Sequence, residues 1–255
     1  MREFFMKPNK ITIGAALLAI LLADPLAASE WNYNLSDEHA GPGAWGTLEG
    51  NEACHGSAQS PIDLGSAQEG HLPKLQINYK RTDLAVVNNG HTIQVNISNG
   101  STLKINGKSY TLLQFHFHSP SEHGVNGYRY PMEAHFVNKA ADGSLAVIGV
   151  FIKEGKVNPT LQKIWDIAPE HEGEASADIR INPSKLLGDE ENVYYGYHGS
   201  LTTPPCSEIV TWNVLDETIS ASREQIEHFV SLLHDGHNAR PIQPVNGRTV
   251  SNNDD

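Results

Sequence analysis

The sequence predicts a mainly β (α+β) fold, a single domain in which a large, mostly antiparallel central sheet carries a few peripheral helices. Three observations predict it. Short β-branched segments follow one another through the middle of the chain, broken by Asn-Gly turns at Asn89-Gly90, Asn99-Gly100 and Asn106-Gly107. Few segments read as helices. No internal repeat, long linker or composition break divides the 255 residues, a length suited to one large domain with its own core.

Taken in chain order, the first element lies outside the fold. Arg2, Lys7 and Lys10 make a positive start, 11–23 is an uncharged run of 13 residues, and the small residues Ala27, Ala28 and Ser29 follow. Such a run is too short for the ~30 Å hydrocarbon of a bilayer at ~1.5 Å per helical residue. It reads as a cleaved secretory signal over 1–28, leaving a mature domain of 29–255; an uncleaved N-terminal anchor is the alternative. Residues 31–71 are rich in Gly, Ser and Pro and read as an irregular arm over a core. Strands are expected at 75–79, 85–87, 92–97, 102–105, 110–118, 132–138, 145–152 and 208–214. Helices are expected at 160–167, closed by Pro169, and at 222–234. The second has Ser222 as N-cap, Gln225 at the capping-box position and Gly236 as stop.

Composition narrows the function. Apolar residues make up 39% and charged ones 19%, which is globular usage. Lys plus Arg number 18 against 30 Asp plus Glu, a formal charge of −12. The leader holds three positive and two negative residues, a net +1, so the mature chain is near −13. Nucleic-acid binding needs a basic footprint, which this chain lacks. No segment after the signal is apolar enough to cross a membrane. Export also bears on the two cysteines, Cys54 and Cys206. In an oxidising compartment an isolated pair usually forms a disulfide; two free thiols are the alternative.

The strongest chemical signal is in the histidines. In the 110–118 strand Gln114, His116 and His118 share one face while Phe115 and Phe117 share the other. The two histidine Cα atoms then lie ~6.7 Å apart, close enough for both imidazoles to meet one ion. The 132–138 strand alternates likewise, with Glu133, His135 and Val137 on one face. If the two strands pair antiparallel, His135 can supply a third ligand. Three neutral imidazoles with a fourth position left to water is the pattern of catalytic zinc. His-x-His alone is weak evidence, since an alternating strand produces such pairs by chance. The run His116-x-His118-x-x-x-Glu122 also matches the first metal motif of cupin jelly rolls, with Glu122 as a ligand to iron or manganese. The expected glycine after it and the Gly and Pro framing around His135 are missing. A copper-zinc superoxide dismutase shares His-x-His and one disulfide, but this chain is too long and has no dense cluster of further ligands.

Separated blocks carry a more specific resemblance. They are Trp31-x-Tyr33, Gly41-Pro42 with Trp45, Gln59-Ser60-Pro61-Ile62, Asn88-Asn89-Gly90-His91, Gln114 through His118, and Ser121-Glu122-His123. Glu133-Ala134-His135, Gly199 through Cys206, Val210-Thr211-Trp212 and Arg240-Pro241-x-Gln243-Pro244 continue the series. In this order and spacing, the chain resembles the α-class carbonic anhydrases of the bacterial, exported type over about 31–248. Phe117 between the first two ligands and the short His118–Glu122 spacing agree with bacterial members.

The resemblance implies a large twisted sheet with a metal at the bottom of a cone, reversible hydration of CO2 to bicarbonate, and a periplasmic or secreted homodimer. It implies Zn²⁺ bound by His116, His118 and His135, and attack of zinc-bound hydroxide on CO2. Carbonic anhydrase is itself the established example of a zinc-bound water with a pKa of about 7. Gln114 and Glu133 are implied to accept from the rings of His116 and His135, fixing their tautomers. Thr202 is implied to accept from the hydroxide and donate to Glu122, which as a carboxylate can only accept. His91 is implied as an exposed proton shuttle acting through water, with Tyr33 and Gln94 ordering that water. Val137, Val147, Leu201, Val210 and Trp212 match the apolar wall of the CO2 pocket, and Thr203 lies beside the bicarbonate path. His123 matches a structural histidine. Cys54 and Cys206 match the disulfide of bacterial members, which would brace the loop holding Thr202.

Overall fold

A computed structural model describes residues 31–98 and 100–253. The expected signal at 1–28 and the turn residue Asn99 lie outside the described residues. The strands in chain order are β1 (Gln68–Glu69), β2 (Gln76–Asn78), β3 (Thr82–Asn88), β4 (Ile93–Asn96), β5 (Thr102–Ile105) and β6 (Lys108–His118). They continue as β7 (Met132–Ala140), β8 (Leu145–Glu154), β9 (Gly173–Ile181), β10 (Tyr194–Gly199), β11 (Val210–Ala221) and β12 (Ser251–Asn252). Helix α1 spans Pro159–Trp165 and α2 spans Arg223–Ser231.

All twelve strands join one sheet, ordered β1-β12-β10-β11-β8-β7-β6-β4-β3-β9, with β5 joining β2 and β6 beside that path. The sheet is mixed. β1 runs parallel to β12 and β8 parallel to β11, and the other pairings are antiparallel. The parallel pair at the centre explains the sequence of β8. Leu145 through Ile152 is apolar almost without interruption and buried throughout, as a strand covered on both faces requires.

Asn106 (φ 47°) and Gly107 (φ 81°) both occupy the left-handed region, so the Asn-Gly pair closes the β5–β6 hairpin as expected. Helix α1 begins at Pro159 under an Asn158 cap. Helix α2 carries the expected capping box, Ser222 accepting from Gln225 N–H while the Gln225 side chain accepts from Ser222 N–H. It ends at Ser231, three residues short of the expected His234.

Both helices cover the face of the sheet that carries Phe115 and Phe117. Phe117 packs edge-on to Trp165 of α1 at 4.8 Å and to Phe229 of α2 at 6.1 Å between ring centroids. Phe115 stacks on Phe136 at 5.1 Å. Each of these rings is fully buried and contributes about 1.5–3 kcal/mol by removal from water. Alternation along β6 and β7 therefore anchors one face in the core and turns the histidine face the other way.

Candidate metal centre

The register of β6 and β7 sets His116 directly opposite His135, and His118 opposite Glu133. The conditional pairing in the sequence is thus the observed one. Ring centroids lie 5.0 Å apart for His116–His118, 5.4 Å for His116–His135 and 4.6 Å for His118–His135. One nitrogen from each ring falls within 4.8 Å of those of the other two.

Hydrogen bonds decide which nitrogens remain. His116 Nδ1 meets Gln114 Oε1 at 2.8 Å, His118 Nδ1 meets the Asn238 carbonyl at 2.7 Å, and His135 Nε2 meets Glu133 Oε1 at 2.8 Å. All three partners accept, so each of these nitrogens is the protonated one. The lone pairs are left on His116 Nε2, His118 Nε2 and His135 Nδ1. Burial, then His118 and His135, holds His116 well below the usual imidazole pKa; burial likewise lowers His118. Neutral rings are what a metal requires.

Two buried acceptors confirm the fit to a cation. His118 Nε2 and Glu122 Oε2 have no hydrogen-bond partner, yet they face each other at 3.6 Å, and Glu122 Oε2 lies 3.8 Å from His135 Nδ1. Lone pairs turned on one another in a buried place are unfavourable unless positive charge sits among them. A small cation with nitrogen preference, such as Zn²⁺, suits this donor set.

Glu133 is fully engaged. Oε1 accepts from His135 and from His123 Nδ1 at 2.7 Å, while Oε2 accepts from the backbone N–H groups of Glu122 and His123, each at 2.9 Å. Burial opposes its ionisation, but its interactions with His123 and His135 hold its pKa well below the usual range. Gly149, paired with His135 across β7–β8, makes room for it: a Cβ there would come within 3.0 Å of Glu133 Oε1.

The expected Thr202–Glu122 hydrogen bond is not formed. Thr202 is buried in the loop after β10, but Glu122 Oε1 accepts from Arg240 N–H at 2.9 Å and Oε2 leans toward the two imidazoles. The expected disulfide is present. Cys54 and Cys206 are joined, with Cα atoms 4.8 Å apart. Gln59 Nε2 adds bonds to the Cys206 carbonyl at 3.1 Å and to Glu208 at 2.9 Å, and Ala58 N–H donates to Glu208 at 2.6 Å.

The apolar residues assemble as one wall. Val137, Val147 and Trp212 align across β7, β8 and β11. Val210 belongs to the same cluster, and Leu201 packs against it. Trp212 lies 4.8 Å from His135 between ring centroids. Thr203 is half-buried beside Thr202. Gln94 is the cross-strand neighbour of His116, but its amide donates to Asn96 at 2.7 Å. Tyr33 is buried, and burial first, then Glu122, keeps its hydroxyl pKa well above the usual value, so it is a neutral donor.

His91 departs from the exposed ring expected. It is half-buried, stacked on Trp31 at 3.8 Å with 8° between the planes. It lines a cavity of about 920 Å³ shared with Glu170, His171, Glu172, His234, Asp235 and His237. Among the groups sequence reasoning missed, Asn238 acts through a main-chain carbonyl, which no side-chain pattern announces. Tyr197 Oη meets His123 Nε2 at 2.6 Å; it lies on β10, a segment that carries no local strand signal in the sequence.

The fold and the three-histidine centre together define a class of protein with a candidate metal site on one large twisted sheet. The sequence profile of the eukaryotic-type carbonic anhydrases matches residues 40–254. A carbonic anhydrase of Pectobacterium atrosepticum is 42% identical over 246 residues, covering 95% of this chain and 98% of its own. The α-carbonic anhydrase of Thermovibrio ammonificans, solved with the inhibitor sulfanilamide, superposes with a TM-score of 0.82 at 46% identity, covering 87% of this chain and 98% of its own. A hyperthermostable carbonic anhydrase from a hydrothermal vent chimney gives a TM-score of 0.83 at 45% identity, covering 88% and 100%. The chain belongs to the α-carbonic anhydrase family. It is therefore an enzyme of that class, whose reaction is the reversible hydration of CO2, and the cupin and superoxide dismutase alternatives fall.

Proposed function

We propose that this chain hydrates CO2 with a zinc ion held by His116, His118 and His135. The observation that carries the proposal is the convergence of three imidazole lone pairs whose opposite nitrogens are each committed to an acceptor. Zinc bound there supplies Lewis acidity that makes water nucleophilic near neutral pH, carbonic anhydrase being the established case. Gln114, Glu133 and the Asn238 carbonyl hold the rings in register. Thr202 would accept a hydrogen bond from the metal's water and, once its hydroxyl turns toward Glu122, donate one to Oε2, which has no hydrogen-bond partner in this structure. The wall of Val137, Val147, Leu201, Val210 and Trp212 takes apolar CO2, and Thr203 lies on the path by which bicarbonate leaves. Zinc at one per chain, with hydration lost on chelation and restored by zinc, is the expected result; full activity in metal-free protein would overturn the proposal.

His91 carries the proton away, through water ordered by Tyr33 and Gln94, into the cavity beside Trp31. Burial lowers its pKa, while Glu172 and Asp235 pull it back up. Glu170, His171, His234 and His237 line the same cavity. A neutral imidazole accepts and a protonated one does not, so turnover limited by proton release rises with pH through the His91 pKa. That inflection is expected below ~6.5. His91→Ala should remove it and slow turnover roughly 10²-fold in dilute buffer, with recovery in imidazole. An unchanged pH profile in the variant would take the role from His91.

Export to the periplasm or beyond, and a homodimeric state, complete the proposal. The disulfide and the bacterial relatives support export. The dimer rests on the family resemblance.

A further inference from the structure

We infer that Ser60 is a positioning residue for the reaction proposed above, tying the outer partners of the metal centre to the loop that carries Thr202; the inference rests on that proposal. The groups around the centre come from segments far apart in the chain. Glu133 and His135 lie on β7, Glu122 in the turn after β6, and Thr202 in the loop after β10. Ser60, wholly buried in the irregular arm, touches a route to each.

Its contacts use every polar atom it has. Ser60 Oγ accepts from Ser200 N–H at 3.0 Å and shares a hydrogen bond with the Tyr197 hydroxyl at 2.9 Å. Ser60 N–H donates to Ser200 Oγ at 2.9 Å. The Ser60 carbonyl accepts from the Arg240 guanidinium at 2.8 Å, and Arg240 N–H in turn donates to Glu122 Oε1 at 2.9 Å. From Tyr197 the route continues to His123 Nε2 at 2.6 Å, from His123 Nδ1 to Glu133 Oε1 at 2.7 Å, and so to His135. The first contact reaches the Thr202 loop two residues upstream of Thr202. Gly199 leaves space for this junction, because a Cβ there would sit 2.2 Å from Ser60 Oγ.

Donor counting gives the route a direction. A neutral His123 that donates Nδ1–H to Glu133 leaves Nε2 as an acceptor. Tyr197 then donates to His123 and accepts from the Ser60 hydroxyl, whose oxygen accepts from Ser200 N–H. Each hydroxyl donates once and accepts once. Removing the Ser60 hydroxyl leaves the Tyr197 oxygen short of a donor and Ser200 N–H short of an acceptor, both in buried surroundings. A displacement of ~1 Å passed to the reacting geometry is enough for a large loss of rate.

The test uses the full zinc-loaded chain with Ser60→Ala and Tyr197→Phe. In Ser60→Ala, kcat/KM for CO2 hydration is expected to fall about tenfold at one zinc per chain. Tyr197→Phe keeps the Ser60–Ser200 bonds and cuts the route to Glu133. It is expected to speed zinc loss to a chelator by about tenfold, the low end of the range established for partners of metal ligands. If Ser60→Ala does not fold, the zinc-release rate of Tyr197→Phe carries the test alone. A lower melting temperature with kcat/KM and zinc release as in the parent overturns the inference, since a merely structural role moves only the first. A parent that neither binds zinc nor hydrates CO2 overturns the proposed function, and the inference with it; that result is distinct from variants that match an active parent.

Discussion

A His118→Ala chain will keep its fold, lose most of its zinc and bring CO2 hydration down to background. His118 offers the buried Nε2 that has no hydrogen-bond partner, and its other nitrogen is fixed on the Asn238 carbonyl at 2.7 Å. Four-ligand structural zinc sites bind with about 10–16 kcal/mol, so one ligand is worth roughly 3–4 kcal/mol, or about 10²–10³ in affinity. Hydration should fall at least as far, because residual zinc would lose one of its three anchors. The fold should survive. The unpaired Asn238 carbonyl costs about 1–3 kcal/mol, against the 5–15 kcal/mol typical of a folded domain. Metal analysis after dialysis, circular dichroism and stopped-flow hydration check the three parts. Zinc at one per chain with parental activity would remove His118 from the ligand set.

The centre was legible because a strand's period of two is written into its residues. Alternation put His116 and His118 on one face of their strand and Glu133 and His135 on one face of theirs, and antiparallel pairing then needed only the right register, which the structure supplies. What alternation could not show was the exact partner of each ring. Gln114 and Glu133 sit two residues from their histidines and were found; Asn238 is 120 residues from His118 in the chain and acts through its backbone. Strands β9 and β10 were missed for a related reason. β9 alternates small and polar residues, Gly173-Glu174-Ala175-Ser176-Ala177-Asp178, and β10 reads Tyr194-Tyr195-Gly196-Tyr197-His198-Gly199. Neither opens with the β-branched residues that mark a strand locally, and their pairing with β3 and β11 supplies the stability instead. Expected boundaries also stopped short where a bulge intervenes, as in β11, which shifts register between Leu215 and Ile219 and runs on to Ala221.

Replacing Cys54 with serine will lower the melting temperature far more than it lowers activity at room temperature. The bond closes a separation of 152 residues. Its effect on the unfolded chain's entropy is up to about 5 kcal/mol in the chain-entropy model. At about 2–4 °C per kcal/mol for a chain of this size, the ceiling is a fall of roughly 10–20 °C. The substitution is a cleaner test than reduction, because it removes the bond completely and leaves no reductant in the assay. Activity should fall only a few-fold, for the loop has other holds. Gln59 still donates to the Cys206 carbonyl, Glu208 still accepts from Gln59 and from Ala58 N–H, and Ser60 still pairs with Ser200. Calorimetry beside kcat/KM measured well below the transition separates the two effects. An unchanged melting temperature would deny the bond its bracing role. An activity loss as deep as the loss of stability would mean that the disulfide, and not the hydrogen bonds around Gln59 and Ser60, keeps Thr202 in place.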